Sequence, residues 1–288
     1  MFYIFFMPAP PIILSIAGYD PSSGAGVTAD IKTAAAFGCY AVTCITALTV
    51  QSTQGVFAVE PVRPEFVRDT LSCLRQDFEI AAVRIGMLGS GEVAAAVARF
   101  LESERLTNIV LDPVIRSSSG ASLIDDAGVE ILRDRLLPIS VLITPNTDEA
   151  AVLAGAKPLP SGSSWQSAEA RIRDFANRLH GLGAKGVLIT GGHLAEPVDF
   201  LSLEDPNGNR SSQVFRGERM QSRSTHGTGC ALAAAVACLL ARGADPVTAV
   251  REAKEFVAQA IRQGQPLGKG TGPVNHLFRF QDLSGSKS

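Results

Sequence analysis

The sequence predicts an α/β fold in three layers, α/β/α: a mostly parallel central sheet covered by helices on both faces, with a small β-hairpin. Three observations predict it. Short apolar, β-branched runs alternate with amphipathic helical stretches, the pattern of parallel strands joined by crossover helices. Hydrophobic residues make up 46% of the 288 but aromatics only 6%, so Ala, Val, Leu and Ile must fill a sizeable core. Glycines and polar residues gather where the strands end, which is where open α/β sheets bind ligands.

Each element has its own signal. Ile12-Ile13-Leu14-Ser15-Ile16-Ala17-Gly18 reads as a buried strand ending at a glycine. Residues 24–37 read as a helix, with Val27, Ile31 and Ala34 on one face and Gly38 as its stop. Residues 41–50 form a second strand, and 64–77 a helix with Val67, Leu71 and Leu74 in register. A short strand covers 83–87, a helix opens on Ser90 and runs over 90–103, and the strand at 108–113 ends on Pro113. The pattern then repeats with a helix over 123–137, a strand over 140–145 and a short helix capped by Thr147. A Pro/Gly/Ser-rich linker at 157–164 leads to a helix at 165–181 and a strand at 186–190. Weaker strands near 198–204 and 212–219 flank the turn signal Asp205-Pro206-Asn207-Gly208-Asn209 and form the hairpin. Helices over 228–241 and 245–263 follow. With no internal repeat or inter-domain linker, residues 11–280 are expected to form one domain. Residues 1–10 are expected to be a disordered or strand-extending tail, and 281–288 a disordered one.

Composition narrows the function classes. A formal net charge of −2 gives neither a nucleic-acid footprint nor a polybasic membrane patch. The apolar start, Met1 to Met7, has no basic n-region or cleavage site and is broken by Pro8, Pro10 and Pro11, so it makes a poor signal peptide and is far too short to span a bilayer. Met1 and Met7 are both candidate starts. Five cysteines without CxxC spacing suit reduced thiols and a cytoplasmic protein, with Cys39, Cys44 and Cys73 as packing residues.

Two glycine loops carry the chemistry. Thr225-His226-Gly227-Thr228-Gly229-Cys230 runs straight into the Ala/Leu-rich helix of 231–240. Unpaired N–H groups and partial positive charge at such a helix start make an anion site, most plausibly for phosphate. Cys230 lies beside those N–H groups, which lower a thiol's pKa. A loop that merely needs glycines before a buried helix would look the same. The second loop, Gly18-Tyr19-Asp20-Pro21-Ser22-Ser23-Gly24-Ala25-Gly26, is neither a Walker A loop nor a clean dinucleotide fingerprint. It leads into a helix carrying Asp30, which either complements the helix dipole or accepts a hydrogen bond from a substrate. Further turns recur at Met87-Leu88-Gly89, Asp112-Pro113, Thr144-Pro145-Asn146 and Thr190-Gly191-Gly192-His193, which points to one site on one sheet edge.

Taken in order, these stretches resemble the hydroxymethylpyrimidine and phosphomethylpyrimidine kinases of thiamine biosynthesis, in the ribokinase-like superfamily. The resemblance runs from about residue 12 to 276. It is carried by Ala17 to Thr33, Ile45 to Leu48 with Gln51-Ser52-Thr53, Ile85-Gly86-Met87-Leu88 and Val110 to Val114. It continues through Leu136-Leu137-Pro138, Leu142 to Asn146, Glu149-Ala150, Gly191-Gly192-His193, His226 to Cys230 and Gly270 to Val274. It implies two successive phosphoryl transfers from ATP, first to the hydroxymethyl group of 4-amino-5-hydroxymethyl-2-methylpyrimidine and then to the monophosphate. Asp30 and Gln51 would hold the ring by its amino group and ring nitrogen, and Gly18, Ala25, Thr49 and Met87 would line its pocket. Asp112, Asn146, Thr190, Gly192 and His193 would lie on the ATP side, with Asp112 and Glu149 holding magnesium through water. Gly227, Thr228 and Gly229 would form the anion hole and Cys230 would act as base. Relatives are commonly homodimers. The chain departs from the pattern at Thr190 and Ser118, where the family often has lysine, with Arg116 close by, and at Tyr19, where a small polar residue is usual. Pyridoxal or pyridoxine kinase is the nearest alternative, and a pyrimidine-binding protein without catalysis a more distant one.

Overall fold

Strand and helix alternate along the computed structural model, which describes residues 9–117 and 120–281. The first half holds β1 (Ile12–Tyr19), α1 (Gly26–Ala36), β2 (Tyr40–Ser52), β3 (Gly55–Pro61), α2 (Pro64–Asp77), β4 (Ile80–Ile85), α3 (Gly91–Glu104) and β5 (Ile109–Leu111). Next come α4 (Asp126–Ile131), a π turn over Leu132–Leu136, α5 (Leu137–Ile139), β6 (Leu142–Ile143), α6 (Thr147–Leu153), α7 (Trp165–Gly181) and β7 (Gly186–Ile189). The chain closes with β8 (Val198–Glu204), β9 (Arg210–Arg216), β10 (Ser224–His226), α8 (Thr228–Ala241), α9 (Pro246–Arg262), β11 (Gly272–Pro273) and α10 (Phe278–Gln281). The parts of the expected tails at 1–8 and 282–288, and Ser118, lie outside the described residues.

Nine strands form one sheet in the order β3-β2-β1-β4-β5-β6-β7-β8-β9, and β10 pairs with β11 in a small second sheet. The pairs from β2 through β7 are parallel, while β3, β8 and β9 add antiparallel edges. Side chains alternate across a strand, so the central strands feed two cores. Leu14 and Ile16 of β1 join Val83, Ile85 and the residues of α2, α3 and α7 on one face. Ile13 joins Ala82, Val110 and the residues of α8 and α9 on the other. Helix α8 is buried from Ala231 to Leu240, which fixes its axis against the sheet.

The structure departs from the expectations in several places. β3 is a strand the sequence did not announce, because its edge position leaves Phe57 and Ala58 exposed and blurs the alternation. The helix expected over 123–137 starts only at Asp126, where the Asp125 carboxylate accepts the Gly128 N–H, and then widens into the π turn just ahead of Pro138. The cap of α6 is Asn146, not Thr147: its side chain accepts from Asp148 and Glu149 N–H while Glu149 reaches back to the Asn146 N–H. The second strand of the expected hairpin spans Arg210–Arg216 rather than 212–219. Ile31 faces outward at 45% exposure. Cys73 is exposed rather than packed, since it lies two residues, over half a turn, beyond the buried Leu71.

Candidate active site

The carboxyl ends of β1, β4, β5, β6 and β7 open with the start of α8 into one cleft of about 1420 Å³. A site for one drug-sized ligand is about 300–1,000 Å³, so two ligands fit side by side here. Its wall includes Gly18, Ala25, Thr49, Gln51 and Met87 at one end and Asp112, Asn146, Glu149, Thr190, Gly192 and His193 at the other. Gly227, Thr228, Gly229 and Cys230 line it between them.

The two glycine loops interlock. Gly227 caps α8 with φ +83°, and a Cβ there would come within 1.8 Å of the Gly24 carbonyl oxygen. The first bond that closes α8 is Ala231 N–H to Gly227 C=O, so the N–H groups of Thr228, Gly229 and Cys230 have no partner within the helix. An added Cβ on Gly229 meets nothing within 4 Å, so that backbone is open to a ligand. Asp20 locks the first loop from within. Its Oδ1 accepts from Ser22 N–H and Oγ–H, and its Oδ2 from Gly24 N–H, Ala25 N–H and His226 Nε2. Burial acts to raise the Asp20 pKa, but the hydrogen bonds from His226 and Ser22 outweigh it and hold the carboxylate below its ordinary value.

Arg84, the last residue but one of β4, is the residue that pattern reading missed. It is fully buried in the floor of the cleft. Its Nη2 donates to Asp112 Oδ2 at 2.6 Å, and its Nη1 lies 3.2 Å from Asp30 Oδ2. Gly86 leaves space for it, since a Cβ there would fall 1.9 Å from Nη1. Asp30 therefore does not stand where a ring contact requires. It is 2% exposed, absent from the cleft wall, and its Oδ2 accepts from Ser15 Oγ–H as well. Desolvation raises its pKa to about 6 despite Arg84. Asp112, on the wall, is likewise raised by burial.

Glu149 has both oxygens engaged by backbone N–H groups, from Asn146 and Ile115. Burial, with the Asp112 charge added, still raises its pKa to about 8. Asp30 and Asp112 thus share one buried guanidinium and Glu149 adds a third buried carboxyl without a cation of its own, an arrangement with an unmet need for positive charge. Cys230 lies against Arg84 and receives the Gly26 N–H. The expected lowering of its pKa at the helix start is overturned: desolvation dominates and pushes the thiol up to about 11. His193 is exposed at the rim, 3.7 Å from Asp148.

A family model for phosphomethylpyrimidine kinase matches residues 20–275. The chain is 42% identical over 274 residues to the thiamine biosynthesis bifunctional protein ThiED of Geobacter sulfurreducens, which covers 94% of this chain but 53% of that protein, about half its length. It is 41% identical over 259 residues to the hydroxymethylpyrimidine/phosphomethylpyrimidine kinase of Aquifex aeolicus, covering 90% of this chain and 97% of that one. A solved ADP complex of Bacillus subtilis pyridoxal kinase matches with a TM-score of 0.83 at 30% identity, over 95% of this chain and 100% of that one. The fold is thus the ribokinase-like α/β/α arrangement. The model's match takes in most of the first glycine loop, the whole of the second and the ends of β4, β5, β6 and β7, and the chain belongs to the phosphomethylpyrimidine kinase family.

Proposed function

We propose that the chain is an ATP-dependent kinase that phosphorylates the hydroxymethyl group of 4-amino-5-hydroxymethyl-2-methylpyrimidine, and then the monophosphate, in thiamine biosynthesis. Residues 11–280 are its catalytic domain. The observation that carries this reading is the opening of the α8 start and the Gln51 amide into one cleft large enough for two ligands. Gln51 reads the ring, between walls of Gly18, Ala25, Thr49 and Met87. Asp30 is not a ring contact in this proposal. It acts beneath the floor, holding Arg84.

Phosphoryl transfer is mainly positioning and charge stabilisation. The N–H groups of Thr228, Gly229 and Cys230 face the charge that develops on the transferring group, and removing one such donor costs about 2.7–4 kcal/mol in comparable sites. ATP supplies the phosphoryl group, and magnesium shields its charge. Asp112 and Glu149 fit the ion, since their buried carboxylates outnumber the cations beside them and oxygen ligands suit it. Among the described residues no cluster of three or more His, Cys, Asp or Glu could hold a metal alone, so an ion at Asp112 and Glu149 would need its remaining ligands from phosphate oxygens and water. Asn146, Thr190, Gly192 and His193 border the nucleotide. Arg116 lines the cleft, and Arg219 donates to the Gly192 and Leu194 carbonyls, so arginines provide cations near Thr190, where lysine is usual in the family.

Cys230 accepts the hydroxyl proton. It does so as its thiolate, a minor form at neutral pH because burial pushes the thiol up to about 11, so the proton leaves the hydroxyl late, when transfer of the phosphoryl group is well advanced. Kinetics on the pyrimidine and on pyridoxal in parallel test the assignment: kcat/KM favours the pyrimidine, and a preference for pyridoxal would reverse it.

The five free cysteines support a cytoplasmic location. Leu48, Val50 and Phe57, exposed on the β2–β3 hairpin, and Phe66 on α2 support a homodimer. Sedimentation equilibrium should show a dimer that Val50→Lys dissociates, and a monomeric wild type would contradict it.

A further inference from the structure

Gln51 presents an amide whose two ends have the same shape, so its orientation is decided by its neighbours' protons. The amide oxygen is placed 3.2 Å from Thr49 Oγ and the amide nitrogen 3.3 Å from His226 Nε2, an assignment that the like shape of the two ends leaves open and that the neighbours' protons reverse. Each neighbour has one proton on the facing atom, and each has another claimant for it. His226 Nε2 is 2.7 Å from Asp20 Oδ2. Asp20 already accepts from Ser22, Gly24 and Ala25, as an ionised carboxylate does. Nε2 therefore carries its hydrogen, and an N–H tolerates only the amide oxygen beside it. Thr49 Oγ–H donates to the Tyr19 carbonyl at 2.9 Å, which leaves the Thr49 oxygen as an acceptor for the amide NH2. Both neighbours demand the same orientation.

We infer that His226, held by Asp20, and Thr49 are positioning residues that fix the polarity of the Gln51 amide: oxygen toward His226, nitrogen toward Thr49. Gly24 allows the contact, since a Cβ there would fall 2.2 Å from the imidazole ring. The amide then offers the cleft a second lone pair next to a second N–H, in fixed order. A ring edge with an amino donor beside a ring-nitrogen acceptor is complementary to it. A carbonyl beside a ring N–H reverses both hydrogen bonds and is rejected. The same His226 adjoins Gly227, so the reader of the ring and the grip on the phosphoryl group are tied to one anchor.

The selectivity part rests on the pyrimidine kinase reading, whereas the polarity itself does not, so two measurements separate them. NMR of 15N-labelled protein without substrate should show the His226 tautomer with hydrogen on Nε2 and Gln51 NH2 protons close to the Thr49 methyl. An Nδ1–H tautomer, or NH2 protons against the imidazole, overturns the inference whatever the enzyme's substrate. Kinetics then compare the 4-amino pyrimidine with its 4-oxo analogue. The ratio of their kcat/KM values should fall about tenfold in Thr49→Val, the worth of one neutral hydrogen bond, and be kept in Thr49→Ser. His226→Ala should lower it similarly. A ratio unchanged in both Thr49→Val and His226→Ala, in protein that still turns over the amino compound, overturns the selectivity role. Wild-type protein with the expected NMR signature and no turnover of the amino compound overturns the selectivity role together with the kinase reading, and leaves the amide polarity standing.

Discussion

Replacing Arg84 with methionine removes the single cation shared by Asp30 and Asp112 while nearly preserving volume. Arg84 is fully buried and Asp30 is 2% exposed, so the Asp30 carboxylate cannot turn to water, and Asp112 on the cleft wall is only 6% exposed. Breaking a buried ion pair on one side costs about 3–5 kcal/mol. The pH dependence has a definite sign. Desolvation already raises Asp30 to about 6, so it binds a proton in the fold at a pH where the unfolded chain does not, and stability falls as pH rises through that window. Without Arg84 the folded pKa rises further and the penalty grows with it. Urea unfolding of Arg84→Met should therefore show a loss of about 3–5 kcal/mol at pH 7, larger at pH 8 and smaller at pH 5. Adding Asp30→Asn and Asp112→Asn should recover much of it. A loss below about 1 kcal/mol, or one equal at pH 5 and pH 8, would refute the claim that Arg84 neutralises buried charge.

At pH 7.5 iodoacetamide should label the exposed Cys73 and spare Cys230, whose thiol is pushed up to about 11, and peptide mass spectrometry reads the difference. Cys230→Ala should lower kcat by about a hundredfold or more with little change in KM, whereas near-normal kcat would remove Cys230 from the mechanism. Burial, helped by Lys32 and His226, depresses His276 to about 4. The unfolded chain then binds a proton below about 6.5 that the fold refuses, so about 3 kcal/mol of stability present above that pH is lost as pH falls to 4. His276→Gln should flatten that slope in urea unfolding, and an unchanged slope would exclude His276 as its source.

The strand ends and both glycine loops are legible in the sequence because turn chemistry is local: Gly26 and Gly227 each take a positive φ in their own turns, which any other residue would adopt at a cost. Arg84 is not legible. It lies inside an apolar strand, and its charge has meaning only against Asp30 and Asp112, which are remote in sequence. Asp30 is misread for the same reason: an acidic residue in the first turns of a helix suggests a ligand, and only the packing of α1 on β1 and β2, with Arg84 of β4 beneath it, shows that it faces inward. The cap at Asn146 rather than Thr147 is a one-residue shift that side-chain hydrogen bonding decides. Cys230 shows the limit of a dipole argument. The helix start favours a thiolate, but desolvation in the cleft wall is the larger effect.

The central claim is that one cleft grips a phosphoryl group at the start of α8 and reads an aminopyrimidine at Gln51. Its most direct test is purified protein with ATP, magnesium and 4-amino-5-hydroxymethyl-2-methylpyrimidine, with products separated by anion exchange. The account predicts the monophosphate first and the diphosphate after it, both abolished or severely slowed in Cys230→Ala. Absence of pyrimidine-dependent ATP turnover would contradict it.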